Sequence, residues 1–275
     1  MKDFSVDGGL TLWVTLHILD RVKIYLPKEL KMKPPVIDDK SFDELMTDDH
    51  SLIISKFHNV YDQFRDYFND PMSCLADIQQ IRKKCGKTPK SMDTIFPSEL
   101  TPEWDGGHAW YAYHYGGRSE AQFNIGMEAH KHGQNRFRIG LGFEFTDLQK
   151  GKPELVRETF QSFIEIISLY EAEFREFVDK NELRIQWVGE DFKTGHVAEG
   201  EEKTRDVVRW LKENGNARKW SWVFVGRFLR RHLDKKILEN PDRLGEVIES
   251  VFSGFKPFWA RTQQRVSGVP ANSPY

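Results

Sequence analysis

The chain has few cysteines and no cysteine pattern that binds metal. Cys74 and Cys85 are its only two, and neither a CxxC pair nor a Cys/His spacing typical of zinc accompanies them. A disulfide-stabilised scaffold and a structural zinc module are therefore excluded. Since disulfides are rare in reducing compartments, we expect the protein to reside in one.

Long apolar runs and an excess of one charge are also missing. The 275 residues contain 40 Lys and Arg against 42 Asp and Glu, so the net charge is −2. No apolar run reaches membrane-spanning length, and residues 1–9 lack the basic and apolar segments of a signal peptide. We expect a cytoplasmic protein without membrane contact, in which any anion site is a local patch rather than a property of the whole chain.

In the first third of the chain, the apolar residues recur at helical spacing. Residues 10–26 carry apolar side chains at helical spacing before a limiting proline, and Ser41 with Glu44 has the form of a capping box. Apolar positions continue on one face over residues 53–68, and a shorter helix is expected at about residues 72–84. These segments predict an N-terminal helical lobe.

The pattern changes to a period of two from His108 onward, which is typical of β-strands. A double glycine at residues 116–117 permits a hairpin turn, residues 120–128 form the returning strand, and residues 136–145 form a third. The sequence therefore predicts a three-stranded antiparallel meander.

Helices and strands alternate after the meander. Pro153 opens the strongest helical pattern, and the run Asn240-Pro241-Asp242 is a good helix start. The predicted order is a helix from residue 153, a strand at 183–188, a helix at 201–214, a strand at 220–228 and a last helix from 241. The fold class is thus α+β. The predicted divisions are a helical lobe at 1–100, an α+β core domain at 101–266 and a disordered tail at 267–275.

The hairpin offers one candidate catalytic group. Asp105, followed by Glu120 and Gln122, fits the loose pattern of a PD-(D/E)XK-like endonuclease, in which two carboxylates hold Mg²⁺ against the scissile phosphate. Asp105 and Glu120 are the candidate metal ligands. The usual lysine is missing, and an ordinary edge hairpin with solvated acids is the alternative interpretation.

Aromatic and basic residues concentrate in two places. Trp110, Tyr113 and Arg118 lie on or beside the hairpin, and residues 203–236 contain eleven basic and three acidic residues among several tryptophans and phenylalanines. Cations can neutralise phosphates and aromatic faces can stack on bases, so Arg227, Arg230 and Arg231 are candidate DNA-binding residues. The alternative is that the aromatic side chains enter the core and that Arg227, Arg230 and Arg231 are a solvated helix end.

Several phrases are similar to the DNA-recognition module of modification-dependent restriction proteins and their HNH endonucleases. The phrases are EAQFNIGM at 120–127, FRIGLGFEF at 137–145, WVFVGR at 222–227 and the pair Phe258-Trp259. The resemblance covers about residues 104–259 and leaves the first hundred unexplained. An HNH-type metal cluster, which that family would imply for cleavage, is missing from the chain.

The resemblance implies a DNA-binding protein of a restriction-type defence system that recognises a modified or flipped base. The residues expected to contact DNA on the hairpin are Trp110, Tyr113, Arg118, Gln122 and Asn124, with rings and amides presented outward beside the cationic C-terminal half. The expected partners are double-stranded DNA and either a second copy of the chain or a separate nuclease subunit. Binding requires no cofactor, whereas the alternative function, a Mg²⁺-dependent restriction endonuclease, requires Mg²⁺. A third alternative is a protein-interaction module formed by the N-terminal helices.

Overall fold

The structure is a computed structural model that describes residues 31–45, 50–88, 93–95, 108–115, 120–130, 135–145, 153–189, 199–202, 206–215 and 220–269. The chain divides into two compact units, Met1–Lys31 and Met32–Tyr275, and the features below belong to the second. The predicted helix at residues 10–26 and residues 270–275 of the predicted tail at 267–275 lie outside the described residues, as does the predicted domain boundary near residue 100.

The described part of the chain contains both helices and strands, so the α+β class is confirmed. The helices are α1 Asp39–Leu45, α2 His50–Asn69, α3 Ile78–Lys84, α4 Pro153–Leu169, α5 Glu171–Lys180, α6 Val207–Glu213, α7 Lys235–Leu238 and α8 Pro241–Val266. The strands are β1 Asp93–Ile95, β2 His108–Tyr115, β3 Gln122–His130, β4 Arg136–Glu144, β5 Arg184–Gly189, β6 Glu199–Glu202 and β7 Trp220–Arg230.

All seven of these strands belong to one antiparallel sheet in the order β1-β2-β3-β4-β7-β5-β6. The predicted meander is present as β2-β3-β4, but the prediction was not exact, because the antiparallel sheet continues beyond β4 with β7. β7 pairs with β4 from Arg136 opposite Arg230 to Glu144 opposite Trp222. This pairing satisfies the backbone groups along the edge of β4 that a three-stranded meander would leave open.

The predicted helix at residues 201–214 was wrong at its start. Residues Glu199–Glu202 form β6 and pair with β5, and α6 begins only at Val207. β6 is the last strand of the sheet and three of its four residues are glutamates. Charged residues on an edge strand hinder pairing with another chain, which gives these acids a structural reason to lie in a strand.

Helix boundaries follow local capping chemistry. Asn240 Oδ1 accepts hydrogen bonds from the backbone N–H groups of Asp242 and Arg243 at 3.1 and 3.2 Å, which confirms the predicted start of α8. At α1 the cap differs from the prediction, because the Asp38 carboxylate accepts from the Ser41 N–H at 2.8 Å and Ser41 itself lies inside the helix. The long helix predicted from Pro153 is divided at Tyr170 into α4 and α5.

The helices cover one face of the sheet and form the core with it. Phe123 of β3 contacts Phe252 and Trp259 of α8 at ring-centroid distances of 5.3 and 5.4 Å. Phe143 of β4 contacts Phe160 of α4 at 4.8 Å. Because side chains alternate along a strand, the residues between these positions face the opposite side of the sheet. That second face carries the candidate site.

Candidate functional site

The second face of the sheet is polar and yet buried. In β4 the positions that alternate with the core phenylalanines are Arg136, Arg138, Gly140, Gly142 and Glu144. In β3 the corresponding positions are Gln122, Asn124, Gly126 and Glu128. Gln122 and Asn124 are 0% exposed, Glu128 is 1% and Arg138 is 2%. We use the name polar layer for five of these residues and three aromatic residues of β7. Its members are Gln122, Asn124, Glu128, Arg136, Arg138, Trp222, Phe224 and Phe228.

Glycines in β4 let aromatic rings of β7 lie flat on the sheet. A Cβ atom at Gly142 would lie 2.5 Å from Cη2 of Trp222, and one at Gly140 would lie 2.2 Å from the carbonyl oxygen of Val225 and 2.9 Å from Cζ of Phe224. The two rings are nearly parallel, with an angle of 11° between their planes and 6.3 Å between their centroids. The glycines are therefore required for close approach, since any larger residue would displace the rings.

One glutamate holds the two arginines of the polar layer. Glu128 Oε1 accepts from Arg138 Nη1 at 2.9 Å, and its other oxygen accepts from Arg136 Nε. The Arg138 guanidinium also lies 5.0 Å from the Phe224 ring centroid and 5.3 Å from that of Trp222. Burial lowers the pKa of Arg138 below its usual value, and the carboxylate of Glu128 opposes this shift. The layer thus contains a desolvated ion pair enclosed by aromatic faces.

Gln122 and Asn124 differ from these charged groups because their amides are buried without compensation. Among the described residues, the oxygen and the nitrogen of both side chains have no hydrogen-bond partner. Leaving such a group unsatisfied costs about 1–3 kcal/mol. Native proteins rarely leave such groups without a partner, so the two positions are candidates for a binding role.

An open pocket of about 400 Å³ adjoins the polar layer, and we name it the arginine pocket. Its lining residues are Glu182, Arg184, Arg227, Phe228, Arg230, Leu233 and Asp234. Phe228 belongs to both features, because its ring contacts Phe224 at 5.5 Å and the Arg136 guanidinium at 4.4 Å. Arg184 is the register partner of Gly226, which brings cations of two adjacent strands to one place.

The structure brings together two of the three arginines predicted to bind DNA. Arg227 and Arg230 line the arginine pocket, whereas Arg231 forms ion pairs with Asp39 at 2.9 Å and Asp43 at 2.7 Å. Asp43, followed by Asp39, raises the pKa of Arg231. Arg231 is therefore engaged by α1 instead of lining the pocket.

Arg184 was missed by sequence reasoning, whereas Phe228 belonged to the predicted aromatic and basic segment without being singled out. Arg184 begins a short strand far from the basic segment, so only the pairing of β5 with β7 places it beside Arg227. Phe228 had a local signal, because it stands between Arg227 and Arg230 in the alternating segment.

The predicted catalytic group is only partly described. Asp105 lies outside the described residues. Glu120 is buried two residues before β3, where Oε1 lies 2.6 Å from Arg82 Nη1 and Oε2 lies 3.3 Å from Lys87 Nζ. Gln122 belongs to the polar layer. Within the described ranges, no group of three or more His, Cys, Asp or Glu is arranged to hold a metal ion, and the Mg²⁺ site at Asp105 and Glu120 stays a prediction.

The expected outward presentation of the hairpin amides was wrong. Gln122 and Asn124 are fully buried, because the second face of β3 is covered rather than solvated. The backbones of Trp110 and Tyr113 lie in β2, opposite Glu128 and Ile125, while their side chains and the whole of Arg118 lie outside the described residues. Their DNA contacts stay predictions.

Comparisons with family models, curated proteins and solved structures found no match for this chain. In the described part of the chain, every helix is too short or too polar to cross a membrane.

Proposed function

We propose that this chain is a DNA-binding protein of a restriction-type defence system, and that the arginine pocket contacts the DNA backbone. The observation that carries this proposal is the convergence of Arg184, Arg227 and Arg230 on one open pocket of about 400 Å³. Guanidinium groups match the geometry of phosphate oxygens and can bind them through two parallel hydrogen bonds. Phosphate contacts of this kind supply most of the affinity of proteins for DNA.

The acids in the pocket do not prevent phosphate binding. Arg227 Nη2 lies 3.1 Å from Glu182 Oε2, but the Glu182 side chain is 72% exposed. An ion pair with one solvent-exposed partner contributes only about 0–1 kcal/mol, so a phosphate can displace it at little cost. The second acid, Asp234, binds the backbone of Arg230 and not its side chain, because Asp234 Oδ2 accepts a hydrogen bond from the Arg230 N–H at 2.7 Å.

The restriction-type context is supported by where the resembling phrases lie in the fold. Three of the four phrases lie along β3, β4 and β7, which are adjacent in the sheet although β7 is remote in sequence, and the pair Phe258-Trp259 lies in α8. The polar layer is built from these strands, and the arginine pocket adjoins it. The resemblance and the candidate site therefore coincide in the same part of the molecule.

DNA binding should depend on the three pocket arginines and on salt. We expect duplex DNA to bind in fluorescence anisotropy, and the triple variant Arg184→Ala, Arg227→Ala, Arg230→Ala to bind weakly. Each lost phosphate contact should reduce the slope of log K against log salt by about 1. The matched control is Arg265→Ala, which removes an exposed arginine ion-paired with Glu165 and should leave the slope unchanged.

Two results would contradict the proposal. One is the absence of duplex binding by the folded wild-type protein at low salt. The other is a triple variant that binds with the salt slope of the wild type. Duplexes with and without modified cytosine or adenine, measured side by side, test the restriction-type specificity.

A further inference from the structure

The unpartnered amides of Gln122 and Asn124 form a paired feature. They occupy positions i and i+2 of β3, so both side chains belong to the second face and are separated by about 7 Å along the strand. Both are 0% exposed, and the structure assigns no hydrogen-bond partner to either carboxamide of this described strand. Two donors and two acceptors are thus held side by side in a fully buried environment.

The surroundings of the pair favour a flat molecule. The register partners of Gln122 and Asn124 on β4 are Gly142 and Gly140, which have no side chains to compete for the amides. Over these glycines lie the rings of Trp222 and Phe224, close to parallel with each other. A planar ligand can place its edge against the amides and its face against a ring, as heterocycles commonly do in proteins.

The ligand should be uncharged. The charges of this face balance, because Glu128 pairs with Arg138 and Arg136 and Glu144 adds a second carboxylate, while the carboxamides carry no charge. Transferring a further charge into a buried site is strongly unfavourable unless a counter-charge accompanies it. Adjacent donors and acceptors on a neutral ring edge match the carboxamide groups without that penalty.

We infer that Gln122 and Asn124 bind a planar, neutral heterocycle whose edge carries neighbouring hydrogen-bond donors and acceptors, the chemistry of a nucleobase. Such a ring can come from DNA or from a free nucleoside. The DNA source rests on the function proposed above, whereas the free source is independent of it. In either case the bound ring is enclosed by the protein, because both side chains are 0% exposed.

A structural role and a ligand-binding role for the amides predict opposite effects of substitution on the melting temperature. If Gln122 and Asn124 serve the fold, apolar residues of similar size should destabilise the protein. If they serve a ligand, the variants Gln122→Met and Asn124→Leu should unfold at the same temperature as the wild type or higher, because replacing an unsatisfied polar group by an apolar one relieves its desolvation.

The experiment compares the wild type with the double variant Gln122→Met, Asn124→Leu by thermal unfolding and by isothermal titration. The probes are the four deoxynucleosides, 5-methyldeoxycytidine, and a duplex oligonucleotide with and without that modified base. Gln80→Met, an exposed position of α3, is the matched control. We expect at least one probe to raise the melting temperature of the wild type and of the control. Its affinity for the double variant should fall by about a hundredfold, roughly tenfold for each amide.

Binding of a free nucleoside that the double variant loses supports the inference and identifies the free source. If only the oligonucleotide binds the wild type in a base-dependent way, and the double variant loses that binding, the inference is supported and DNA is identified as the source. The inference is overturned if no probe binds the wild type, if the double variant binds equally well, or if that variant is markedly less stable than the control. The two proposals can fail separately. If the amides bind no base, salt-dependent duplex binding by the arginine pocket can still be observed, and if the arginine pocket binds no duplex, nucleoside binding can still be measured.

Discussion

Glu120 shows how a residue predicted to be catalytic can have a large structural role. Its side chain is 5% exposed and lies between two cations from the end of α3 and the segment after it, Arg82 and Lys87. Arg82 is itself 3% exposed, and its Nη2 donates to the carbonyl of Thr88 at 3.0 Å. Since Arg82 Nη1 is near Glu120 but not well directed for a hydrogen bond, proximity of charge is the main interaction.

Removal of the Glu120 carboxylate should therefore destabilise the protein. Glu120→Ala leaves Arg82 buried without its counter-charge, which costs about 3–5 kcal/mol. Urea denaturation should show a lower midpoint for this variant, whereas Glu165→Ala, at an exposed ion pair, should change the free energy of unfolding by about 1 kcal/mol or less. Equal midpoints for the two variants would contradict the structural role. Loss of plasmid cleavage in Glu120→Ala can identify catalysis only if the variant is still folded.

At the scale of elements, α8 is the helix that ties the sheet to the rest of the core. Its residue Gly254 faces Phe177 of α5, and a Cβ atom there would lie 2.0 Å from Cε2 of that ring. The ring has little room to move, because Phe174, Phe255 and Phe258 surround it at centroid distances of 6.1, 4.9 and 6.3 Å. The contact between α5 and α8 thus depends on a residue without a side chain.

Gly254→Ala should destabilise the protein although alanine favours helices. The gain in helix propensity is about 1 kcal/mol, whereas overpacking against a fixed ring costs about 1–3 kcal/mol, so the net effect is a loss. The neighbouring exposed residue provides the control, since Ser253→Ala should be neutral or slightly stabilising. Chemical denaturation of both variants tests this. A Gly254→Ala midpoint equal to or above that of Ser253→Ala would show that the two helices can separate without penalty.

Most elements could be predicted from the sequence, but their number and ends could not always be. The start of α8 was predictable, because Asn240 and Pro241 act through hydrogen bonds and backbone angles within three residues. The strand β6 was not, because its acidic composition is typical of a helix start and only its pairing with β5 makes it a strand. The break at Tyr170 was also hidden, since apolar spacing continues across it into α5.

At the scale of the whole molecule, ion pairs connect residues far apart in the sequence. Asp39 of α1 accepts from Lys235 Nζ at 2.6 Å and from Arg231 Nε at 2.9 Å. Hydrogen bonds from Lys235, and then from Arg231, lower the pKa of Asp39 from 3.8 to about 2. The pKa of Lys235 is raised, chiefly by the same hydrogen bond to Asp39.

These shifts predict a specific acid sensitivity. Because the pKa of Asp39 is lower in the folded protein than in the unfolded chain, its stabilising effect is complete above about pH 4 and is lost as the pH falls toward 2. The variant Asp39→Asn should therefore show a shallower loss of thermal stability between pH 4 and pH 2 than the wild type. The control is Asp62→Asn, at an exposed ion pair within α2. Parallel pH profiles for wild type and Asp39→Asn would contradict the prediction.

The sequence by itself determined the α+β class, the period-two strands β2 to β4 and the capped start of α8, because periodicity and capping act over a few residues. It also identified Gln122, Asn124, Arg227 and Arg230 as unusual positions. Only the tertiary structure decided that the amides are buried, that Arg227 and Arg230 share a pocket with Arg184, and that Arg231 is held by α1. Burial of both faces of a sheet, and the meeting of β4 with a strand some eighty residues later, depend on long-range packing that no local pattern encodes.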